Sequence, residues 1–545
     1  MPTVRLNRKD KEFRHENISY VDYKQVEMDR VLTALLPRLW WDGYGSVISR
    51  TRDLTIEDFV DTVAEHPEKF AGFDPAVTSR WLETHLLDIV SRGKPTQAVA
   101  GLRPLHGFTY RFRNARRSRS YGADEQVYEM LRHASGARGT VALAGLKEFF
   151  FAGVDTLTET PRLGDDVDVE TQALISLSDA VRDQIADRAD TRARRLFPPL
   201  YAEASDLLAD DVLRLLQHQE YVPRTVLVEY LKMLLAFHLA LYHLKIMKLL
   251  PAMVRGDRNP SSADGFFFDV TGLPGSGAAR LAERSAAAWL NRIPTFVRAT
   301  FTIRKLEDLA ESLADRGQLT RPPGGHFGVR DVLPLLGPRR KEERLRFAAA
   351  RLTAIEATRE PGDDDDREYA QILQLGLDEF TTYIEVITHY RIKFHRKYLT
   401  ECLDTLLLKN RPGSMIAQPR GGSRRFTLDS RMLEVLLQLC LLKTDQPGQF
   451  ETRPLRIDQF LRLLRDRYGL YIDQLPEGDG FGQAIVTEYA ALRENRAAFV
   501  ARLREIGFYS DLSDAYLTQT ITPRYMIGAR TGTPVSGGTV SGGGA

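Results

Sequence analysis

The chain has 545 residues, with 75 lysines and arginines against 73 aspartates and glutamates, and a formal net charge of +2. This balance excludes a polybasic protein that coats DNA with its whole surface, so any nucleic-acid contact must be local. Two cysteines cannot form a disulfide framework or a four-thiolate zinc site, and such scarcity is typical of a reducing compartment. The N-terminal segment is polar and lacks the apolar stretch of a secretory signal, so we expect a cytoplasmic protein.

Helical periodicity dominates the sequence, whereas alternating strand patterns are scarce. Apolar residues recur three and four positions apart in windows such as 54–66, 123–133 and 281–313. The pattern predicts a mainly α, multi-lobed helical protein. Proline, glycine and charge runs divide it into an N-terminal helical region (1–160), a long-helix middle region (165–410), a small C-terminal domain (411–527) and a disordered tail (528–545).

The sharpest basic patch lies within residues 101–121, GLRPLHGFTYRFRNARRSRSY. Arginines can pair with phosphates, and the interleaved aromatic residues can stack on bases or support the arginine stems. The segment therefore predicts a DNA contact. The alternative is a loop that pairs with the acidic runs 165–170 or 363–366, or with an acidic partner protein. The candidate DNA-binding residues here are Arg111, Arg113, Arg116, Arg117 and Arg119.

The most apolar stretch, residues 225–250, is 26 residues long and could cross a bilayer by length alone. It contains Glu229, Lys232 and Lys245, and charges in the middle of a membrane span are costly. We therefore predict a buried helix and no membrane association.

Residues 272–277, GLPGSG, lie between an apolar run and a predicted helix but lack the Lys-Ser/Thr pair of a phosphate-binding loop, so they indicate a connector. The helical spacing of apolar residues in 368–409 predicts one long helix, or two helices separated at Gly376. A second basic cluster on this helix, RIKFHRK at 391–397, favours a solvated face. Motifs typical of zinc sites, serine hydrolases and nucleases do not occur, so we expect no metal, no cofactor and no catalytic residue.

The C-terminal domain predicts three short helices followed by a β-ribbon, the element order of a winged helix. The third helix, residues 493–506, would then enter the major groove, and the strand pattern at 516–522 would form the ribbon. Basic residues outnumber acidic residues only slightly in this region, whereas DNA binding depends on the neutralisation of phosphates, so a protein-docking module is the alternative. The candidate DNA-binding residues of the third helix are Arg493, Arg496 and Arg502.

The run RDRYGLYID, a Gly-rich acidic turn and ENRAAFVARLREIGFYSDLSDAYLTQTITPRY resemble the helical accessory subunit of a bacterial methylation-associated antiphage defence system. The resemblance covers mainly the C-terminal 100 residues. It implies a protein that works beside an ATP-binding partner and a methyltransferase-linked restriction machinery. It assigns no catalytic residue.

We therefore expect a non-catalytic component of a multi-gene antiphage defence complex that bridges partner proteins, including an ATP-binding subunit, and binds duplex DNA. Two alternatives stay open. One is a stand-alone winged-helix protein that acts in transcription or on the chromosome. The other is a nuclease-like enzyme whose catalytic site the sequence hides.

Overall fold

A computed structural model describes residues 5–50, 52–162, 167–192, 196–257, 265–358, 364–446, 449–509 and 520–528. Within these ranges the chain is mostly α-helical, and its strands are two to five residues long. The prediction of a mainly α protein is confirmed. The predicted tail lies outside the described residues except for Gly528, and so do Asp165 and Asp166 of the acidic run 165–170 and Asp363 of the acidic run 363–366.

The N-terminal helices begin at polar residues that satisfy the free N–H groups of the first turn. The side chains of Asn7, Thr55 and Asp74 each accept a hydrogen bond from a backbone N–H three residues ahead. The elements are α1 (Arg8–Lys11), α2 (Met28–Trp40), β1 (Ser46–Ser49), α3 (Ile56–Glu65), α4 (Pro75–Trp81), β2 (Leu87–Val90), β3 (Ala98–Leu102), α5 (Ala123–Arg132) and α6 (Arg138–Phe150).

The middle of the chain is organised around one long apolar helix. The elements that lead to it are α7 (Val169–Ala180), β4 (Ala186–Ala189), α8 (Ala202–Leu216) and α9 (Arg224–Val254). Helix α9 has 31 residues and is long and apolar enough to cross a membrane, but 83% of its most apolar window is buried inside the protein. The buried helix that the sequence predicts is therefore present. Its Lys232 is buried and donates to Asp29 at 2.8 Å and to Glu229 at 2.6 Å.

The helices after α9 include the segment predicted as one long helix or two. A short strand, β5 (Phe266–Phe267), precedes them. The helices are α10 (Gly277–Leu290), α11 (Ile293–Asp315), α12 (Val329–Val332), α13 (Lys341–Glu356), α14 (Asp364–Leu373) and α15 (Glu379–Leu406). Gly376 has a φ of +64°, in the left-handed region, and separates α14 from α15. Asp378 then caps α15. The GLPGSG segment is a loop whose Ser276 caps α10.

The C-terminal elements follow a helix–hairpin–helix–helix order. They are β6 (Ile416–Ala417), β7 (Arg425–Phe426), α16 (Ser430–Cys440), β8 (Leu442–Gln446), β9 (Gln449–Thr452), β10 (Leu455–Arg456), α17 (Ile457–Tyr468), β11 (Leu470–Tyr471), α18 (Val486–Glu505) and β12 (Thr520–Ile521). The hairpin β8–β9 thus lies between α16 and α17, and β12 pairs antiparallel with β10. Most of the predicted strand 516–522 lies outside the described residues, so the winged helix stays a prediction.

Buried contacts tie the C-terminal helices to the rest of the protein. Apolar residues of all three predicted regions, such as Val31, Leu235 and Leu436, belong to one core. In α18, the buried Asn495 donates to the carbonyls of Phe268 and Ile472, both at 2.8 Å. The third helix therefore lies against the middle region, and part of its surface is covered.

Candidate nucleic-acid interface

The aromatic residues of the basic segment point into the protein. After β3, residues Gly107–Phe112 form a 3-10 turn in which Phe108, Tyr110 and Phe112 are buried. His106 is also fully buried. These side chains therefore anchor the segment to the core and support the arginine stems, and they are not available to stack on bases.

Arg111 and Arg103 are held by carboxylates of the same chain. Arg111 is only 5% exposed and lies over the ring of Phe108, with 3.9 Å between the guanidinium carbon and the ring centroid. Its Nη2 donates to Glu159 at 2.5 Å, and its Nε lies 3.5 Å from a carboxylate oxygen of Asp187. Arg103 pairs with Glu229 at 3.1 Å. Both arginines act inside the fold.

The remaining four predicted arginines of this segment form a more open group. Arg113 donates to the carbonyl of Ser46 at 2.5 Å. Arg117 is exposed and lies 3.7 Å from Asp53. Arg116 and Arg119 are exposed and form no ion pair with any residue that the structure describes. Two guanidinium groups are therefore free for an external anion.

Arg113 and Arg119 line a cleft of about 780 Å³ that also includes residues of α15. The cleft thus joins the first basic segment to the helix that carries the second basic cluster, although the cations of that second cluster do not line it. Phe394, His395 and Tyr398 contribute from α15, and Lys24 contributes from the loop before α2. The charged residues of the cleft wall are Arg14, Asp22, Lys24, Arg38, Arg113, Arg119, Asp124, Glu125, Asp190 and Arg192.

The cleft wall carries six cationic side chains and four carboxylates, an excess of two positive charges. Three cations are neutralised locally: Arg14 lies 2.9 Å from Asp22, Arg38 lies 2.6 Å from Asp124, and Arg192 donates to Asp190 at 2.7 Å. Lys24, Arg113 and Arg119 have no such carboxylate partner among the described residues. The fourth carboxylate, Glu125, lies 3.5 Å from Arg38, which thus faces two carboxylates, so the three unpaired cations minus this additional carboxylate give the excess of two.

The pKa values around the cleft reflect burial and this positive field. Burial, followed by the charge of Arg113, lowers the pKa of Arg50 to about 10. Burial, followed by the charge of Arg391, lowers the pKa of His395 to about 3. His395 is therefore neutral at physiological pH, and its ring stacks on Phe13 with 3.9 Å between centroids. Burial, the larger cause of both shifts, disfavours any charged form, and only the smaller contributions of Arg113 and Arg391 reflect positive charge in this region.

Two aromatic rings of the cleft wall, those of Phe394 and Tyr398 on α15, form a platform together with two cations. Phe394 is 41% exposed, and its ring centroid lies 4.6 Å from that of Tyr398. The Nζ of Lys24 lies 4.1 Å from the ring centroid of Tyr398, and the guanidinium carbon of Arg391 lies 4.3 Å from that of Phe394. We call these four residues the α15 platform.

The α15 platform combines exposed aromatic surface with positive charge. Lys393, Arg396 and Lys397 are exposed on the same helix and form no ion pair with the described residues. This cluster is visible in the sequence, where its spacing favours a solvated face. Lys24 gave no signal, because its position over Tyr398 depends on packing between parts of the chain that are far apart in sequence.

The arginines predicted on α18 lie elsewhere. Arg493 is exposed, whereas Arg496 lies 2.5 Å from Asp458 and 3.6 Å from Asp473. Arg502 donates to the hydroxyl of Ser430 at 2.8 Å and lies 3.3 Å from Glu505. Arg493 and Arg496 line a separate concavity of about 950 Å³. The structure therefore does not bring them to the cleft that contains Arg113 and Arg119.

The described residues contain no group of three or more His, Cys, Asp or Glu side chains that could hold a metal ion. The most deeply buried carboxylate–histidine pair joins Asp211 and His238 at 2.9 Å, and Arg467 and Tyr468 also contact Asp211. These contacts link α8 and α9 to α17. The Asp211–His238 pair therefore has a structural role.

Fold and site together define a mainly helical protein with a basic, aromatic-lined cleft. The chain belongs to the family of the methylation-associated defense system protein MAD7, whose model matches residues 8–525. The resemblance to a methylation-associated defence system is thereby confirmed, and the matched range includes the cleft as well as α18. No curated protein and no solved structure matches the chain.

Proposed function

We propose that this component of a methylation-associated defence system is a non-catalytic, cytoplasmic subunit that binds nucleic acid in the cleft between the 113–122 segment and α15. The observation that carries the proposal is the group of cations without carboxylate partners, Lys24, Arg113 and Arg119, with Arg116 beside them. Phosphate neutralisation by such side chains supplies much of the affinity of proteins for nucleic acid.

The helical body would serve as a scaffold for this contact. Arg111 and the buried aromatic residues anchor the basic segment to the protein core, and the buried face of α15 anchors the platform. A rigid support keeps the binding cations in place and lowers the entropy lost on binding. Membership of a multi-gene defence system supports protein partners, and the resemblance supports an ATP-binding subunit among them.

The winged-helix prediction assigns duplex DNA to α18. Two of its three candidate arginines, Arg496 and Arg502, are engaged by side chains of the same chain. We therefore assign the main nucleic-acid contact to the cleft and treat Arg493 as the α18 residue to test. A loss of DNA affinity in Arg493→Glu that exceeds the loss in cleft variants would reverse this assignment.

The binding proposal is tested by fluorescence anisotropy with labelled DNA, both duplex and single-stranded. The double variant Arg116→Glu and Arg119→Glu should bind at least one of these forms much more weakly, because two attractive charges become repulsive. The matched control is Arg330→Glu with Arg339→Glu, which changes two exposed arginines that lie outside the cleft wall and form no ion pair with the described residues. Equal losses in both variants, or no DNA binding by the wild type, would contradict the proposal.

The role in defence is tested in the native host. A strain without the gene should lose phage resistance, the wild-type gene should restore it, and the Arg116→Glu, Arg119→Glu variant should not. Affinity purification of the wild-type protein should recover an ATP-binding subunit. Recovery of the protein alone, together with unchanged resistance in the deletion strain, would contradict membership of a working complex.

A further inference from the structure

We propose that the cleft selects an unpaired nucleotide of a single strand, with the base on the α15 platform and the neighbouring phosphates on Lys24 and Arg119. The inference rests on the proposed function and adds the form of nucleic acid. It is carried by the exposed ring of Phe394 in the cleft wall, which phosphate binding alone does not require.

Exposed aromatic surface next to phosphate-binding cations is the usual arrangement of single-strand binding sites. A base in a duplex is stacked on both faces and must leave the helix before it can reach a protein ring. Phe394 keeps 41% of its surface exposed although Arg391 and Tyr398 both contact it. A base can therefore stack on the open part of this ring or on the planar guanidinium of Arg391.

The size of the cleft agrees with this occupant. Its volume of about 780 Å³ lies within the range of roughly 300–1,000 Å³ typical of pockets that enclose small molecules. One nucleotide with its flanking phosphates fits a space of this class. Lys24 and Arg119 line the same cleft as Phe394 and Tyr398, so that base and backbone can be bound together.

The platform is held in place from inside the protein. His395 follows Phe394 in α15, is buried, and stacks on Phe13, while Leu399 and Cys402 continue the buried face of the helix. Phe394 and the Lys24 contact with Tyr398 lie on the outer side. Truncation of Phe394 therefore removes exposed ring surface and an edge contact with His395, and leaves the stacking of His395 on Phe13 in place.

The test compares wild type and Phe394→Ala on a labelled single strand and on the duplex of the same sequence. Stacking on a protein ring contributes about 1–3 kcal/mol per base, so we expect single-strand affinity to fall by about 5-fold to 150-fold and duplex affinity to stay unchanged within about 2-fold. Phe394→Trp should retain single-strand affinity. Tyr489→Ala, which removes an exposed ring on α18, is the matched control and should change neither affinity.

A second binding measurement uses an abasic single strand. It keeps the phosphates, so wild type should bind it about as weakly as Phe394→Ala binds the normal strand. Millimolar AMP should not displace the strand, because the flanking phosphates contribute to binding; complete displacement would mean that a free nucleotide is the ligand and would overturn the inference.

Two results separate this inference from the proposed function. If Arg116→Glu with Arg119→Glu weakens binding but Phe394→Ala leaves single-strand affinity unchanged, the cleft binds backbone only and the inference is wrong while the proposed function stands. If the wild type binds neither single strand nor duplex, both are wrong.

Discussion

Arg111 and Arg116 lie five positions apart in the same basic segment, yet the structure gives them different roles. Arg111 is buried between Glu159 and Asp187, whereas Arg116 is exposed and forms no ion pair with the described residues. We therefore expect Arg111→Ala to destabilise the fold and Arg116→Ala to leave stability unchanged. The prediction separates the structural arginines of the segment from those available for binding.

The magnitude follows from what Arg111→Ala leaves behind. Removal of one partner of a buried ion pair costs about 3–5 kcal/mol, because the remaining charge is left without compensation. Asp187 keeps hydrogen bonds from the hydroxyls of Tyr110 and Ser46, both at 2.5 Å, and Glu159 is partly exposed. These features place the expected loss at the lower end, about 3 kcal/mol. For Arg116→Ala we expect a change within about 0.5 kcal/mol.

The assay is urea unfolding followed by far-ultraviolet circular dichroism, with both variants measured beside the wild type. The unfolding midpoint of Arg111→Ala should shift to clearly lower urea, and that of Arg116→Ala should coincide with the wild type. The reasoning is refuted if both variants unfold at the wild-type midpoint, since Arg111 would then contribute nothing as a buried pair.

Two further predictions concern buried groups. Burial lowers the pKa of His243 to about 4 from 6.5, so the unfolded chain takes up a proton first as the pH falls, and stability should decrease below about pH 6.5. At about pH 5 this residue lowers the free energy of unfolding by about 2 kcal/mol. The urea midpoint of His243→Gln should therefore change less between about pH 7 and pH 5 than that of the wild type. An equal change in both proteins would contradict the assignment. Burial raises the pKa of the Cys402 and Cys440 thiols to about 12, so neither should react with a disulfide reagent at mildly alkaline pH until the protein is unfolded. Rapid reaction of the native protein would show that the two thiols are accessible.

The helical architecture could be predicted because it depends on local periodicity. The buried α9 and the break at Gly376 both follow from signals within a few turns of helix, namely apolar spacing and a glycine followed by a capping Asp378. The hairpin β8–β9 was missed because its strands are short and contain polar residues such as Lys443 and Glu451. Such strands give no alternating pattern.

The site could be predicted only in part, because pairing between distant residues decides it. The composition of the 101–121 segment points to residues that line the proposed cleft, but Glu159 and Asp187, which bind Arg111, lie 48 and 76 positions further along the chain. No local pattern indicates these pairs. The approach of α15 to Arg119 is equally non-local, so the sequence predicts stacking by aromatic residues of 101–121, three of which the structure buries, and not by those of α15.

The salt dependence of single-strand binding tests the central claim, that Lys24 and Arg119 of the cleft and the exposed Arg116 beside them bind phosphates. The slope of log Kobs against log salt concentration should become shallower by about 2 in the triple variant Lys24→Ala, Arg116→Ala and Arg119→Ala, because each lost phosphate contact removes about 0.7 from a single-strand slope. The control Arg330→Ala with Arg339→Ala should keep the wild-type slope. A triple variant whose slope equals that of the wild type would contradict the claim.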